Sequence, residues 1–151
     1  MYGEYMNSTH IKFRCPDALC SGMAILDGYR FIINSKGRAT LVADAQSSVQ
    51  GVLWRVTPYD EHDIDTTLGA NADDPAKARC DKLVLTVHTA AGMPVQAIVY
   101  IDKDTTRGEP NQSYMQKVIS GAAEHAVEKK YIDEVLRKYK PKIRRETFTT
   151  Y

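Results

Sequence analysis

Between Met23 and Val56, four runs rich in apolar and β-branched residues follow one another with no gap long enough for a crossover helix. Parallel neighbours need a connection of a dozen or more residues, so runs this close favour antiparallel pairing. Met23-Ala24-Ile25-Leu26 and Tyr29-Arg30-Phe31-Ile32-Ile33 read as one strand bent at Asp27-Gly28, and Gly37 breaks the chain before Ala39-Thr40-Leu41-Val42. Val49 to Val56 follows, and its interior Gly51 predicts a bulge or a close backbone approach. A later pair, Cys80 to His88 and Pro94 to Ile101, is joined by the turn Thr89-Ala90-Ala91-Gly92.

Helix signals stand on both sides of that pair. Thr57 is placed as an N-cap with Pro58 at the first helical position and Asp60 and Glu61 at the positive helix end, and the helix runs to about Leu68. Asn111 caps a second helix expected through Ala126, and a third starts near Lys129 and stops before Pro141. The order of elements fits an α+β domain over 1–140, built on a small antiparallel β-barrel or curled mixed sheet with flanking helices. Residues 141–151 are read as a basic polar tail, part of a run from Arg137 to Arg145 whose six basic residues are expected to be solvated.

A net charge of +1 with 43% apolar residues gives no global electrostatic reason to bind nucleic acid or an anionic membrane. No stretch approaches the roughly 20 apolar residues of a membrane span, and the first residues lack an apolar signal core, so a cytoplasmic setting is expected. Cys15, Cys20 and Cys80 are odd in number and lack a CxxC spacing, which predicts free thiols, with Cys15 and Cys20 as buried structural residues. No two histidines have a metal-ligand spacing, so neither a metal nor another cofactor is expected. Trp54 is assigned to the core.

The segments RCPDA (Arg14 to Ala18), GYRFIINSKGRATL (Gly28 to Leu41), SSVQGVLWRVTPYDEHDID (Ser47 to Asp65) and GEPNQSYMQKVISGAAEHA (Gly108 to Ala126) resemble the gamma-glutamylcyclotransferase family. The resemblance covers nearly the whole chain. It implies a small antiparallel barrel with flanking helices around one pocket, in which the α-amine of a gamma-glutamyl group attacks its own side-chain amide and releases 5-oxoproline. That chemistry needs backbone N–H groups around the substrate carboxylate and a carboxylate base to free the amine. The family supplies a Tyr-Gly-Ser-Asn loop after its first strand and a glutamate directly before a glycine after its first helix.

Both parts differ here. The amino end, Tyr2-Gly3-Glu4-Tyr5-Met6-Asn7, matches the loop in two ways. Either Tyr2-Gly3 is the Tyr-Gly pair, with Glu4 and Tyr5 replacing Ser and Asn, or Tyr5 is the loop tyrosine and Gly-Ser-Asn is deleted. The second match keeps Met1 to Tyr5 as a first strand and is preferred. In either, Glu4 stands near the expected substrate carboxylate, and two such charges repel by more than the roughly 1 kcal/mol expected in water. Leu68 occupies the glutamate position before Gly69 and can neither accept a proton nor orient an ammonium. Cys80 falls where a pocket tyrosine is common, and Ala126-Val127-Glu128 replaces Gly-Leu-Pro.

Departures gathered on the presumed pocket suggest an engineered protein remodelled for general-base or ester-hydrolysis chemistry, native cyclotransferase activity being absent. A natural, non-catalytic relative that binds a small molecule or serves structurally is the alternative. Three uses of the pocket follow. Glu4, if it faces the interior, is a general base with Leu68 as an apolar wall and Tyr5 or Tyr114 as hydrogen-bond donor. Cys80 is a candidate nucleophile, provided a histidine approaches it; His88, about 26 Å away along the same extended strand, is out of reach. Without turnover, Tyr5, Leu68, Cys80 and Tyr114 line a binding cavity for a small molecule.

Overall fold

The computed structural model describes residues 1–139, and the tail assigned to 141–151 lies outside them. Strands β1 (Leu19–Ile33) and β2 (Ala39–Arg55) pair antiparallel around a tight turn. Buried Asn34 shapes that turn, its side-chain oxygen accepting the N–H groups of Lys36 and Arg38 at 3.0 and 3.1 Å. The bend expected at Asp27-Gly28 is present as a register shift between Asp27 and Tyr29. Ala39–Val42 and Val49–Val56 are not separate strands: β2 runs through the polar stretch between them. There Asp44 accepts hydrogen bonds from Gln46 and Ser47 and pairs with Arg30 at 3.3 Å.

Strands β3 (Cys80–Thr89) and β4 (Pro94–Asp102) form the expected hairpin, and the sheet order is β2-β1-β3-β4, all antiparallel. β1 and β3 share only a short ladder, Ala24 with Thr89 and Ile25 with His88, so the two hairpins splay and curl. A buried hydrogen bond of 2.7 Å from Thr40 Oγ1 to the Asp102 carbonyl joins β2 to β4 across the opening. Among the described residues, four α-helices flank the sheet: α1 (Ser8–Arg14), α2 (Pro58–Thr67), α3 (Gln112–Glu124) and α4 (Lys129–Tyr131). A π turn (Ile132–Leu136) and a 3-10 turn (Arg137–Tyr139) continue α4. The main core joins Phe31, Ile33, Leu41 and Val52 of the sheet to Met115, Val118 and Leu136 of the helices.

The caps act as read: Thr57 Oγ1 accepts from Asp60 at 3.1 Å, and Asn111 Oδ1 from Tyr114 at 2.7 Å. The second capped helix ends at Glu124 rather than Ala126, where a φ of 60° leaves the helical range.

The preferred first strand, Met1 to Tyr5, is overturned. Met1 exchanges hydrogen bonds with Val52 of β2, but Glu4–Met6 is a 3-10 turn closed by Met6 N–H to Gly3 O at 3.1 Å. α1 then follows under an Asn7 cap, its polar sequence having hidden it. The close approach expected at Gly51 is real, since a Cβ there would stand 2.5 Å from the Met1 carbonyl oxygen.

Candidate functional site

The end of α2 explains the pairing of Leu68 with Gly69. Gly69 N–H donates to Thr66 O and Ala70 N–H to Asp65 O, at 3.2 and 2.8 Å, which is a Schellman closure with Gly69 in the left-handed region at φ 65°. The Gly69 carbonyl accepts Arg79 N–H at 2.8 Å and Cys80 N–H at 3.3 Å, tying the helix end to the start of β3. Leu68 is thereby held half-buried against a second apolar cluster that includes Tyr5, Ile11, Ile64 and Tyr100.

Leu68 also lines a cavity of about 110 Å³ enclosed by all four strands and the amino-terminal segment. Glu4, Tyr5, Cys80 and Tyr114 line it as well, so the structure brings all five sequence-derived residues to one place. Tyr2 and Gly3 lie on the same wall.

Glu4 is half-buried on the cavity wall, on the 3-10 turn rather than on a strand. Tyr114 Oη accepts the Ala39 N–H at 2.8 Å, and its own proton remains free to donate toward the cavity that Glu4 also lines. Burial, then the Glu4 charge, push the Tyr114 phenol well above its ordinary range. Tyr5 is buried with its ring 4.7 Å from that of His10; burial raises its phenol and Glu4 adds to the rise.

Cys80 does not have the surroundings of a nucleophile. It is 4% exposed, and burial raises its thiol, an effect only partly offset by Arg79. No histidine among the described residues hydrogen-bonds to it. His10 packs on Tyr5, His62 and His88 are exposed, and His125 faces Cys20. The assignment of Cys20 as a buried residue is also corrected: it is exposed, whereas Cys15 is fully buried.

Residues that sequence reasoning missed complete the wall. Buried Asp102, paired across the hairpin with Cys80, meets the Arg79 guanidinium at 3.7 Å, and Arg38 lines the same cavity. Tyr2 donates its phenol proton to the Tyr100 carbonyl at 2.5 Å, and the Tyr100 phenol donates to Asp65 Oδ1. The available signal was an aspartate closing the apolar run VQAIVYID, a position where a charge is costly unless it is used. Among the described residues no group of three or more His, Cys, Asp or Glu is placed to hold a metal, and no helix is long and apolar enough to cross a membrane.

The sequence pattern of the AIG2-like family matches residues 48–135, more than half of the chain. The chain belongs to the AIG2-like family. Among solved structures, it superposes on one described as gamma-glutamyl cyclotransferase with a TM-score of 0.84 at 19% identity, over 99% of this chain and 90% of that one. An uncharacterized protein from Homo sapiens gives a TM-score of 0.83 at 20% identity, over 100% and 89% of the two chains. YkqA from Bacillus subtilis gives 0.75 at 17% identity, over 92% of this chain and 52% of that one. No curated protein sequence matches the chain. For this AIG2-like protein the likeness establishes the fold, an α+β domain with a curled antiparallel sheet.

Proposed function

We propose that this AIG2-like protein uses its cavity to bind a small amine-bearing molecule and does not carry out the cyclotransferase reaction. The observation that carries the reading is the pair of side chains on the cavity wall: an apolar Leu68 at the end of α2, and a carboxylate, Glu4, in the loop that would receive a substrate carboxylate. A substrate carboxylate placed at that loop meets a like charge in a confined, partly desolvated space, while an ammonium there is attracted by the same charge. Arg38 and Arg79 on the remaining wall suit a second, anionic end, so a small amino acid or amine is the class that fits.

The deciding experiment is a thermal-shift and calorimetric titration with matched small amines, carboxylates and amino acids on the unmodified chain and Glu4→Gln. A ligand that binds only the folded state raises stability by RT ln(1 + [L]/Kd), so an amine preference that vanishes in Glu4→Gln supports the reading. In parallel, 5-oxoproline release from a gamma-glutamyl dipeptide is measured. Efficient turnover by the unmodified chain overturns the reading outright. Leu68→Glu asks whether the base alone is lacking, since a general base contributes about 10² to 10⁴ in rate.

A second reading, proton abstraction by Glu4, is favoured by its place beside the Tyr114 phenol on the cavity wall. It predicts that Glu4→Gln abolishes elimination from an activated C–H acid. Ester hydrolysis through Cys80 draws no support from its raised thiol. An engineered origin likewise has no observation in its favour. The departures on the cavity wall are read as natural divergence.

A further inference from the structure

The histidine sought beside Cys80 stands beside a different cysteine. On the outer surface, away from the cavity lining, β1 presents Cys20 to His125, with Sγ 3.3 Å from Nδ1. The other ring nitrogen, Nε2, is 2.9 Å from Glu124 Oε1 and 2.9 Å from Ser8 Oγ. Glu124 Oε1 also accepts the Ser8 N–H at 3.0 Å. These Ser8 contacts, followed by the neighbouring histidine, hold its carboxyl below the ordinary glutamate value.

The carboxylate fixes the tautomer. An ionised Glu124 only accepts, so the proton resides on Nε2, and a neutral His125 turns the lone pair of Nδ1 toward the thiol. Trp54 stands edge-on to the imidazole at 5.2 Å between centroids, limiting its rotation. His125 is also the C-cap of α3, its N–H bonded to Ala122 O, so a positive ring would sit at the negative end of the helix dipole. At the sulfur, the register shift between Cys20 and Gly22, with Gly22 at φ 100°, aims the Gly22 N–H at Sγ from 3.4 Å. Together these contacts hold the Nδ1 lone pair of His125 against the Cys20 thiol.

We propose that Cys20 is a nucleophilic thiol, with His125 as its base, that exchanges with low-molecular-weight disulfides at a site separate from the cavity. His125 Nδ1 takes the Sγ proton, and the thiolate attacks one sulfur of R–S–S–R. The Cys20–S–R bond forms as the S–S bond breaks. The departing thiolate takes up the proton held by His125 and leaves as R–SH. Cys20 sulfur is oxidised and the leaving sulfur reduced, so no further oxidant is required. Glu124 and Ser8 are positioning residues.

Dithiodipyridine tests the site on the folded full chain, since each exchange releases a coloured thione. Because Cys15 and Cys80 are buried at 0% and 4% exposure, one fast equivalent is expected, located at Cys20 by peptide mass and absent in Cys20→Ser. At pH 6 the fast rate should exceed that of free cysteine by about tenfold, since the imidazole 3.3 Å from Sγ accepts the proton that free cysteine has no neighbouring base to accept. The groups that face the imidazole are Glu124 on α3, Ser8 on α1, Cys20 on β1 and the uncharged Trp54 on β2. His125→Gln should therefore lower the pH 6 rate about tenfold and leave one inflection near the ordinary thiol value of about 8.5. Glu124→Gln, which leaves the base in place, should shift the inflection upward without removing the fast phase. An unmodified chain whose Cys20 matches free cysteine at pH 6, with a single inflection near about 8.5, overturns the proposal whether or not any variant folds.

Discussion

Replacing Gly69 with alanine tests whether the junction between α2 and β3 fixes the cavity wall. At φ 65°, a residue with a Cβ bears about 1–2 kcal/mol of left-handed strain. The added Cβ would also stand 2.9 Å from Arg79 Cβ, an atom one bond from the backbone, so relief requires β3 to move. Forcing such a contact in a packed region costs about 1–3 kcal/mol, giving a total loss of about 2–5 kcal/mol. With a urea slope of about 2 kcal/mol per molar, the midpoint should fall by about 1–2.5 M while the slope is unchanged. Trp54, the single tryptophan, reports the transition by fluorescence. Gly69→Asn separates the causes, because asparagine tolerates the left-handed region yet brings the same Cβ contact. Asparagine should recover only part of the loss. A fully stable Gly69→Asn, or a Gly69→Ala loss below about 0.5 kcal/mol, would refute the claim that Arg79 packs against the helix end.

Further substitutions probe other supports of the site. Thr57→Ala removes the α2 cap at Asp60 N–H and should cost about 1 kcal/mol in urea unfolding. Asn34→Ala leaves the N–H groups of Lys36 and Arg38 without their side-chain acceptor and should cost about 1–3 kcal/mol in the same assay. Tyr100→Phe deletes the donor to Asp65, whose Lys82 partner at 2.9 Å remains, and a loss of about 1.5–3 kcal/mol is expected from calorimetry. Glu124 has a folded-state pKa depressed from 4.5, so its contribution is present above that value and lost as pH falls through the folded pKa. Unfolding followed at stepped pH should show a shallower acid loss in Glu124→Gln.

The fold was legible where the signal was local and repetitive. The Thr57-Pro58 start, the Thr89–Gly92 hairpin and the bend at Asp27-Gly28 each depend on residues adjacent in sequence, and each is present. The amino terminus was misread because Met1 is held by Val52 and the 3-10 turn by α3, contacts that no short window contains. The cavity residues were found through the family pattern, yet Asp102 and Arg79 were not, since their meeting depends on the register between β3 and β4. The histidine that a nucleophilic Cys80 would need was invisible for the same reason: the described histidines pack elsewhere. Cys20 and His125 are 105 residues apart, and only packing α3 against the start of β1 brings them together.

Leu68 joins these strands of evidence, because its position serves stability and chemistry in opposite ways. The C-cap of α2 lies at the negative end of the helix dipole and against the cluster of Ile64, Tyr100 and Tyr5, surroundings in which a carboxylate is disfavoured. A glutamate held there has its pKa raised, which is what makes it an effective base near neutrality, at the expense of the fold. Leucine relieves that tension and adds apolar contact. Leu68→Glu should therefore destabilise the chain by about 1–3 kcal/mol through lost burial and dipole repulsion. Its folded-state pKa being raised, the glutamate binds its proton more tightly folded than unfolded, so the deficit should grow as pH rises from about 4.3 to the folded value. Urea unfolding of both chains below and above that window measures the growth. A deficit that stays constant with pH would mean that Arg79 has turned from Asp102 to the new carboxylate, and that the helix end is less apolar than its packing shows.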